Sequence, residues 1–272
     1  MTLPQSDLPA LCAEVCRIAK EEGLFLKYEC ARFNRNDIEE KSAHNYVSYV
    51  DKESEKRLTF RLQKLLPEAG FITEEATIQT CDKALTWVVD PLDGTTNFIH
   101  NLAPYCISIA LRTKNEVVLG VVYEVCRDEC FYAWRKGGAY LNGLPIHVSP
   151  IDTLNDALLL MGFPYRAHEF KPMALHLVKQ CYGMVGGTRL IGSAAAELCY
   201  IACGRAEIRV EAFLGAWDVA AGSLILQEAG GQVSDFDGGD RWWNGEELLA
   251  TNTLLHNNVL QLLKTRKTGL SC

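Results

Sequence analysis

The sequence predicts an α/β protein in which helices and strands are mixed along the whole chain. Three observations lead to this class: amphipathic helical patterns recur from the first residues to the last third, short apolar runs typical of strands lie between them, and the middle of the chain carries a series of hairpin turns. The 272 residues, 48% of them hydrophobic and 22% charged, suffice for a substantial core in one large domain or in two layered subdomains.

The first third of the chain combines helices with short strands. Apolar residues at helical spacing, preceded by Ser6 or Asp7 as a cap, predict the first helix, and Asp51 begins a second one that stops at Pro67. The elements expected here are a helix over 6–29, a polar loop over 34–45, a strand over 47–50, a helix over 51–66, and strands over 71–73 and 87–89.

The middle of the chain predicts antiparallel hairpins, and the remainder alternates between strands and helices. Turn residues at 114–115, 127–129 and 142–143 separate the hairpin strands, and glycines mark the later connections. In order, we expect strands over 107–111, 117–123, 130–134 and 158–161, a helix over 168–181, a strand over 189–191, a helix over 192–204, a strand over 206–210, a helix over 216–229, strands over 232–234 and 248–251, a helix over 254–264 and a frayed tail over 265–272.

Composition narrows the class of partner. A net charge of -7 argues against a nucleic-acid partner, which requires a basic face. No apolar stretch approaches the ~18 residues that would suggest a membrane span, and the N-terminal residues lack the pattern of an export signal, so we expect a cytoplasmic protein without a membrane partner. Eleven cysteines include three pairs at the same spacing, Cys12/Cys16, Cys126/Cys130 and Cys199/Cys203. Ordinary packing explains these pairs better than zinc or redox chemistry.

The stretch 87–98 carries the densest chemistry in the chain. Its apolar run ends at two aspartates, Asp90 and Asp93, and the proline between them should stop the strand because it fixes φ and lacks an N–H. Gly94 allows a ligand to approach the backbone, and its N–H and that of Thr95 can point at an anion. By itself the stretch is either an ordinary Asp-Pro and Asp-Gly turn or a place where a hard cation meets a phosphate.

Three further acids, Asp51, Glu74 and Asp218, stand at the ends of predicted elements. Two adjacent strands would place Glu74 beside Asp90. Asp51 and Asp218 begin helices, where an acid ordinarily complements the helix dipole. For Asp218, a role as a metal ligand is the more specific alternative. Oxygen ligands without histidine or cysteine select Mg²⁺, Mn²⁺ or Ca²⁺ over zinc, and clustered like charges require bound cations. Two ions about 4 Å apart beside free amides would form a phosphoryl-hydrolysis site.

Together these motifs resemble those of the inositol monophosphatase family, within the lithium-sensitive, Mg²⁺-dependent phosphatases. The segment 90–98, the Glu74-Glu75 pair and the segment 217–222 carry the resemblance, which extends from about residue 47 to about residue 258. It implies a layered α-β-α-β-α sandwich of the inositol monophosphatase and sugar phosphatase type, and a homodimer. It also implies a single catalytic domain over 1–272, with a metal and phosphate half (1–150) and a substrate half (151–272).

The resemblance assigns roles to individual residues. For the metal ions, it implies one Mg²⁺ on Glu74, Asp90 and the carbonyl of Leu92, a second on Asp90, Asp93 and Asp218, and a third, weaker ion on Glu74 and water, with Mn²⁺ as a possible substitute. For the substrate, it implies that the phosphate binds the amides of Gly94 and Thr95, that Thr95 and Asp51 help deprotonate the nucleophilic water, and that Gly192, Ala194, Glu211, Asp93 and Asp218 contact the hydroxyl side.

The implied function is hydrolysis of myo-inositol monophosphate to myo-inositol and phosphate by direct in-line attack of metal-activated water, with no phosphoenzyme. Glu211 suits a polyol hydroxyl better than a second phosphate, which would favour arginine or lysine. A fructose 1,6-bisphosphate or nucleotide 3′-phosphate phosphatase is the alternative within the same superfamily. A non-catalytic binding protein is the alternative from a different class, and the loss of a ligand acid would be its mark; every acid is present.

Overall fold

The fold combines helices and sheets in alternating layers. The computed structural model describes residues 7–34, 38–42, 45–78, 83–164, 167–244 and 246–264. In these ranges it contains the helices α1 (Leu8–Cys30), α2 (Tyr49–Leu65), α3 (Thr95–Ile99), α4 (Ala167–Cys181), α5 (Ala194–Ala202), α6 (Ala216–Glu228) and α7 (His256–Lys264). The strands are β1 (Ile38–Ser42), β2 (Asn45–Ser48), β3 (Gly70–Thr73), β4 (Leu85–Asp93), β5 (Cys106–Thr113), β6 (Val117–Glu124), β7 (Glu129–Trp134), β8 (Ala139–Leu141), β9 (Leu144–Pro145), β10 (Leu158–Met161), β11 (Gly187–Arg189), β12 (Ile208–Ala212), β13 (Gln232–Ser234) and β14 (Glu247–Thr251).

The larger sheet has seven strands in the order β3-β4-β5-β6-β7-β8-β9. β3 runs parallel to β4, and every later pairing is antiparallel, which confirms the predicted hairpins. Alternating side chains of β4 enter two cores: Trp87 and Val89 pack with α1 and α2, whereas Val88 packs with α5 and α6. Burying each such large apolar side chain stabilises the fold by about 1.5–3 kcal/mol. Apolar packing therefore fixes helices on both faces of this sheet.

The smaller sheet has five strands in the order β11-β10-β12-β14-β13. β10 runs parallel to β11 and β12, and β14 is antiparallel to β12 and β13. Its outer face packs against α4 and α7, and α5 lies on its inner side, towards the larger sheet. The layers therefore follow the order α1/α2, seven strands, α5/α6, five strands, α4/α7, which confirms the predicted α-β-α-β-α sandwich.

The prediction was wrong for the N-terminal polar segment. The expected loop over 34–45 contains β1, which pairs antiparallel with β2, and the strand expected over 47–50 ends at Ser48. These residues are mostly polar, so they lack the apolar alternation that reveals a half-buried strand. Ser48 caps α2 and Asp51 is its third residue, so Asp51 is not the N-cap itself. Smaller shifts of two residues affect β11, both ends of α5, β12 and the start of α7, and the tail over 265–272 lies outside the described residues.

The prediction was also wrong about Pro91. β4 continues through the proline to Asp93, and its pairing with β5 shifts register between Asp90 and Asp93. A bulge leaves one residue of a strand without its ladder partner, which is a position where a proline is tolerated. The irregularity therefore lies inside the strand, between the two aspartates.

Two findings concern partners and cysteines. Within the described ranges, no helix is both long enough and apolar enough to cross a bilayer. The nine described cysteines are free thiols, and members of each of the three pairs, such as Cys12, Cys130 and Cys199, are buried, as ordinary packing predicts.

Candidate functional site

The bulged end of β4 presents Asp90 next to Glu74. β3 and β4 pair with Thr73 opposite Val89, and the Glu74 amide donates to the Val89 carbonyl at 3.3 Å, so Glu74 follows alongside Asp90. Asp90 Oδ1 accepts the amide of Leu92 at 2.9 Å. Asp90 Oδ2 is buried and has no hydrogen-bond partner among the described residues. A buried carboxylate oxygen without a donor is suited to a cation, because leaving it unpaired is otherwise expensive.

Three carboxylates converge on this point from two different parts of the chain. Oxygens of Asp90, Asp93 and Asp218 lie within 4.8 Å of one another. Asp218 comes from the first turn of α6, where its Oδ2 accepts the amide of Gly215 at 2.5 Å. Burial raises the pKa of Asp90 and of Asp218 well above the usual range, and the neighbouring carboxylates, Glu74 included, raise both further. The donor set consists of oxygens alone, so it fits a hard divalent cation.

Asp93 has a second set of partners at the N-terminus of α5. Its Oδ2 accepts the hydroxyl of Ser193 at 2.5 Å and the amide of Ala195 at 2.8 Å, and its Oδ1 accepts the amide of Ala194 at 3.1 Å. Burial raises the pKa of Asp93, and these hydrogen bonds oppose the rise. The free donors at the start of α5 thus bind a carboxylate of the protein itself, that of Asp93. Sequence reasoning missed Ser193, although its position before a helix was the available signal.

Gly94 turns the chain from β4 into α3. Its φ is +90°, in the left-handed region that favours glycine. A Cβ at this position would lie 3.1 Å from the Pro104 carbonyl oxygen and 3.2 Å from the Gly192 carbonyl oxygen, so a side chain would also crowd two backbone groups. Glycine is therefore favoured here on conformational and steric grounds, and it brings the following residue, Thr95, to the first position of α3.

Thr95 connects this turn to Asp51, as expected. The Thr95 hydroxyl lies 3.0 Å from Asp51 Oδ1 and 3.0 Å from the Leu92 carbonyl oxygen. A hydroxyl has a single proton, so it can donate to one of these acceptors at a time. Asp51 Oδ2 accepts the amide of Ser48 at 2.9 Å and its hydroxyl at 2.7 Å. Burial raises the pKa of Asp51, and its hydrogen bonds to Ser48 and Thr95 oppose the rise.

Glu211 reaches the site from β12 and is accompanied by two charged residues that sequence reasoning missed. Arg209, two positions earlier and on the same face of the strand, donates from Nη2 to Glu211 Oε2 and, at 2.7 Å, from Nε to Glu197 Oε2. Burial raises the pKa of Glu211 to about 7, and Arg209 opposes the rise. For Arg209, the period-2 spacing was the available signal; Glu197 lies on α5 and is brought there by tertiary packing.

An open cavity of 480 Å³ joins these groups. Glu197 and apolar residues such as Phe163 and Trp217 also line it. Of the residues predicted for the site, those that line the cavity are Glu74, Asp90, Leu92, Asp93, Gly94, Thr95, Gly192, Ala194, Glu211 and Asp218. Asp51 is buried behind Thr95. The structure thus brings together a carboxylate cluster, a hydroxyl–carboxylate pair and a polar wall in one cavity, while the role of each residue stays a prediction.

Comparison with known proteins gives a consistent set of similarities. Residues 10–268 match the profile described as "Inositol monophosphatase family". Among curated proteins, the chain is 34% identical over 256 residues to an inositol-1-monophosphatase of Mesorhizobium japonicum, covering 94% of this chain and 96% of the relative. It is 37% identical over 233 residues to Nus factor SuhB of Pasteurella multocida, covering 85% and 87%.

Solved structures agree with these matches. The extragenic suppressor protein suhB of Bartonella henselae superposes with a TM-score of 0.87 at 33% identity and covers 93% of this chain and 97% of that structure. The inositol monophosphatase of Anabaena (Nostoc) sp. PCC 7120 superposes with a TM-score of 0.83 at 30% identity and covers 95% and 97%. The similarity therefore extends over the whole layered fold and includes every described element that positions the cavity.

Proposed function

Because this chain belongs to the inositol monophosphatase family, we propose that it is a Mg²⁺-dependent phosphatase that hydrolyses myo-inositol monophosphate to myo-inositol and phosphate. The observation that carries the proposal is the cluster of Asp90, Asp93 and Asp218 in one cavity with Thr95, whose hydroxyl contacts Asp51. An oxygen-only cluster beside a hydroxyl–carboxylate pair has the composition that metal-assisted hydrolysis of a phosphate ester requires.

The residues present fit a hard cation, because Asp90 Oδ2, which has no hydrogen-bond partner in the described part of the chain, and the close approach of three carboxylates both call for positive charge. Glu74, Asp90 and the Leu92 carbonyl would hold one Mg²⁺, and Asp90, Asp93 and Asp218 a second, with a weaker third ion on Glu74 and Mn²⁺ as a substitute. Bound cations supply Lewis acidity to the attacking water and to the leaving oxygen.

The protein's own groups would orient the reaction. If the Leu92 carbonyl held a cation, the Thr95 hydroxyl would keep Asp51 as its acceptor, and the pair could take a proton from the nucleophilic water for direct in-line attack. The amides of Gly94 and Thr95 would bind the phosphate oxygens as a backbone nest at the left-handed turn. Burial keeps Asp51 away from solvent, so its contact with Thr95 is not competed for by bulk water.

The wall on the far side of the cavity would receive the substrate hydroxyls. We assign this contact to Glu211, Gly192 and Ala194, with Asp93 and Asp218 reaching it as well. Glu211 is a hydrogen-bond acceptor for a polyol, and the cation that contacts it among the described residues, Arg209, already donates to two carboxylates. This arrangement favours a polyol monophosphate over a sugar bisphosphate or a nucleotide 3′-phosphate, the alternatives within the superfamily, since a second phosphate would need a free cationic donor.

A phosphate-release panel tests the proposal. The protein is assayed with inositol 1-phosphate, fructose 1,6-bisphosphate and adenosine 3′,5′-bisphosphate, with Mg²⁺ and after its removal. We expect Mg²⁺-dependent release that is fastest with inositol 1-phosphate and is abolished in Asp93→Asn. Preference for a bisphosphate would assign the chain to the alternative substrate class. No release from any ester would favour a non-catalytic binding role, which the name of the relatives called Nus factor SuhB leaves open.

We further propose that residues 1–272 form one domain that assembles as a homodimer. The proposed halves 1–150 and 151–272 share a core, because α6 of the second half packs on β5 and β6 of the first. An exposed apolar stripe supports the dimer: Leu175 and Val178 on α4 are followed by Tyr182 and Met184, and such stripes commonly mark interfaces. Sedimentation velocity of Val178→Asp against the parent chain tests it; a monomeric parent chain would refute the homodimer.

A further inference from the structure

Arg209 is a completely buried cation placed between two carboxylates at the wall of the cavity. Its side chain is 0% exposed, that of Glu197 is 1% exposed and that of Glu211 is 12% exposed. Arg209 donates through Nε to Glu197 and through Nη2 to Glu211. Burial alone would lower the pKa of Arg209, but the two glutamates more than offset this and raise it, so the guanidinium stays charged.

The buried ion array of Glu197, Arg209 and Glu211 also holds the loop at residues 191–192. Glu197 Oε1 accepts the amides of Ile191 and Gly192, each at 3.2 Å. Asn97 holds this loop from the phosphate side, because its amide donates to the Ile191 carbonyl at 2.8 Å. Arg209 thus connects Glu211 on β12 to the backbone at 191–192, and both contribute to the cavity wall.

The backbone of Gly162 packs against a second side of the Glu211 carboxylate. A Cβ at residue 162 would lie 1.9 Å from the Glu211 carboxyl carbon and 2.0 Å from Oε2. The carboxylate therefore rests against the backbone of residue 162 while Arg209 holds it from the other side. Glu211 has a single position fixed from two directions, as a directional acceptor for a ligand requires.

Stability alone does not account for this arrangement. Removing a buried ion array from water has a large desolvation penalty, and well-packed apolar side chains of similar volume are often as stable or more so. The array also leaves Arg209 Nη1 without a hydrogen-bond partner among the described residues, which apolar packing would avoid. The array has a large desolvation penalty, lacks one hydrogen bond among the described residues and contacts two parts of one cavity wall. The groups that it positions explain it better than stability does.

We propose that Arg209 is a positioning residue for substrate selection: it fixes the Glu211 carboxylate and, through Glu197, the 191–192 loop, so that this wall accepts the hydroxyl groups of a neutral polyol and rejects a second phosphate. The proposal rests on the proposed function for its substrate class. The charge of the guanidinium is taken up by the two glutamates, so a second anionic group at this wall would meet carboxylate oxygens; none of the described residues that line the cavity is a lysine or an arginine.

Two variants test the proposal from opposite sides of Glu211. Arg209→Met removes the two guanidinium hydrogen bonds and roughly keeps the side-chain volume. Gly162→Ala displaces the Glu211 carboxylate and leaves Arg209 in place. For both we expect the KM for inositol 1-phosphate to rise about tenfold, the scale of a weakened hydrogen bond to a charged group. Hydrolysis of p-nitrophenyl phosphate, which offers Glu211 no hydroxyl, should change by less than about twofold. Arg209→Lys keeps the charge without the guanidinium and should lie between the parent and Arg209→Met.

Arg205→Met is the matched control. Arg205 makes a two-pronged ion pair with Glu129 at 2.6 Å for each bond, but this pair is on the surface and away from the cavity. We expect unchanged kinetics for both esters in this variant. Equal losses with inositol 1-phosphate and p-nitrophenyl phosphate in Arg209→Met and Gly162→Ala, or an unchanged KM for inositol 1-phosphate in both, would overturn the proposal.

A readout without turnover separates this proposal from the function on which it rests. Amide hydrogen exchange at Ile191 and Gly192 should be faster in Arg209→Met than in the parent protein, because Glu197 loses the group that fixes it. Unchanged exchange would overturn the positioning role even in an active enzyme. A parent protein that releases no phosphate from any ester would overturn the proposed function alone, and the exchange rates would still decide whether Arg209 fixes the loop.

Discussion

Replacing Asp90 by asparagine separates the fold from the function at this site. Asp90 Oδ1 accepts the Leu92 amide at 2.9 Å, whereas the buried Oδ2 has no hydrogen-bond partner among the described residues. Asparagine keeps the first contact through its carbonyl oxygen and removes the negative charge from the cluster. We expect Asp90→Asn to abolish Mg²⁺-dependent phosphate release and, without divalent cations, to raise the Tm of the protein.

The size of the effect follows from the spacing of the charges. The carboxylate oxygens of Asp90, Asp93 and Asp218 lie within 4.8 Å of one another. Two unit charges at this distance repel by about 3–4 kcal/mol at an effective dielectric constant of about 20. Partial protonation, which the raised pKa of Asp90 and of Asp218 implies, relieves part of this repulsion, so asparagine should remove about 1–2 kcal/mol. For a chain of this length the Tm should rise by about 2–6 °C.

Thermal unfolding after removal of divalent cations, repeated during a Mg²⁺ titration, measures both effects. Asp93→Asn is the matched control, because Asp93 accepts three hydrogen bonds from Ser193, Ala194 and Ala195. An asparagine amide would face one of these donors, so the metal-free protein should lose about 1–3 kcal/mol. A lower metal-free Tm in Asp90→Asn, or a stabilisation by Mg²⁺ as large as in the parent protein, would refute the assignment of Asp90 Oδ2 to a cation.

Three further predictions concern the turn, the proton acceptor and pH. Gly94→Ala should lose about 1–3 kcal/mol of unfolding free energy in a denaturant titration, because φ is +90° and a Cβ would lie 3.1 Å from a backbone carbonyl. Thr95→Val should lower kcat about 10²- to 10⁴-fold at saturating Mg²⁺, because its contact with Asp51 is lost; Thr95→Ser should restore most of it, and equal rates in the two variants would contradict the role of the hydroxyl. The folded pKa values of Asp90 and Asp218 lie above the unfolded values, so in the metal-free protein these two groups contribute stability that is fully present at low pH and is lost as the pH rises through the folded pKa. Mg²⁺ competes with those protons, so the rise in Tm produced by Mg²⁺ should be larger at about pH 8 than at about pH 6, and the opposite order in a calorimetric titration would contradict the ligand set.

The acidic part of the site could be predicted from the sequence because its geometry is largely local. The parallel pairing of two short apolar strands carries Glu74 alongside Asp90, and both lie at the ends of runs that the sequence reveals. Asp218 is different. Its position in the first turn of a helix is readable, but its approach to Asp90 depends on the packing of α6 against the larger sheet, which no local pattern encodes. The motif resemblance supplied that contact.

The missed features share a physical cause. Pro91 predicts a strand end because it lacks a donor, but a bulge needs no donor at one position, so a turn and a bulge give the same sequence signal. Arg209 and Glu211 are two residues apart and therefore share a face of β12, whereas Glu197, the second carboxylate that Arg209 binds, is twelve residues before Arg209 on another element. A buried ion array has no periodic signature, because its members are brought together by tertiary structure.

Asp93 connects the carboxylate cluster to the wall of the cavity that α5 forms. It stands at the end of β4 with the other carboxylates, yet its hydrogen-bond donors come from the start of α5. The helix amides and the Ser193 hydroxyl favour its ionised form, while Asp90, as far as the described ranges show, accepts the Leu92 amide through Oδ1 and has no hydrogen-bond partner for Oδ2. Hydrogen bonds of the fold therefore offset part of the cost of the charge on Asp93, whereas the charge on Asp90 would need a cation. Because α5 also carries Glu197, a displacement of Asp93 would reach the 191–192 loop through one rigid helix.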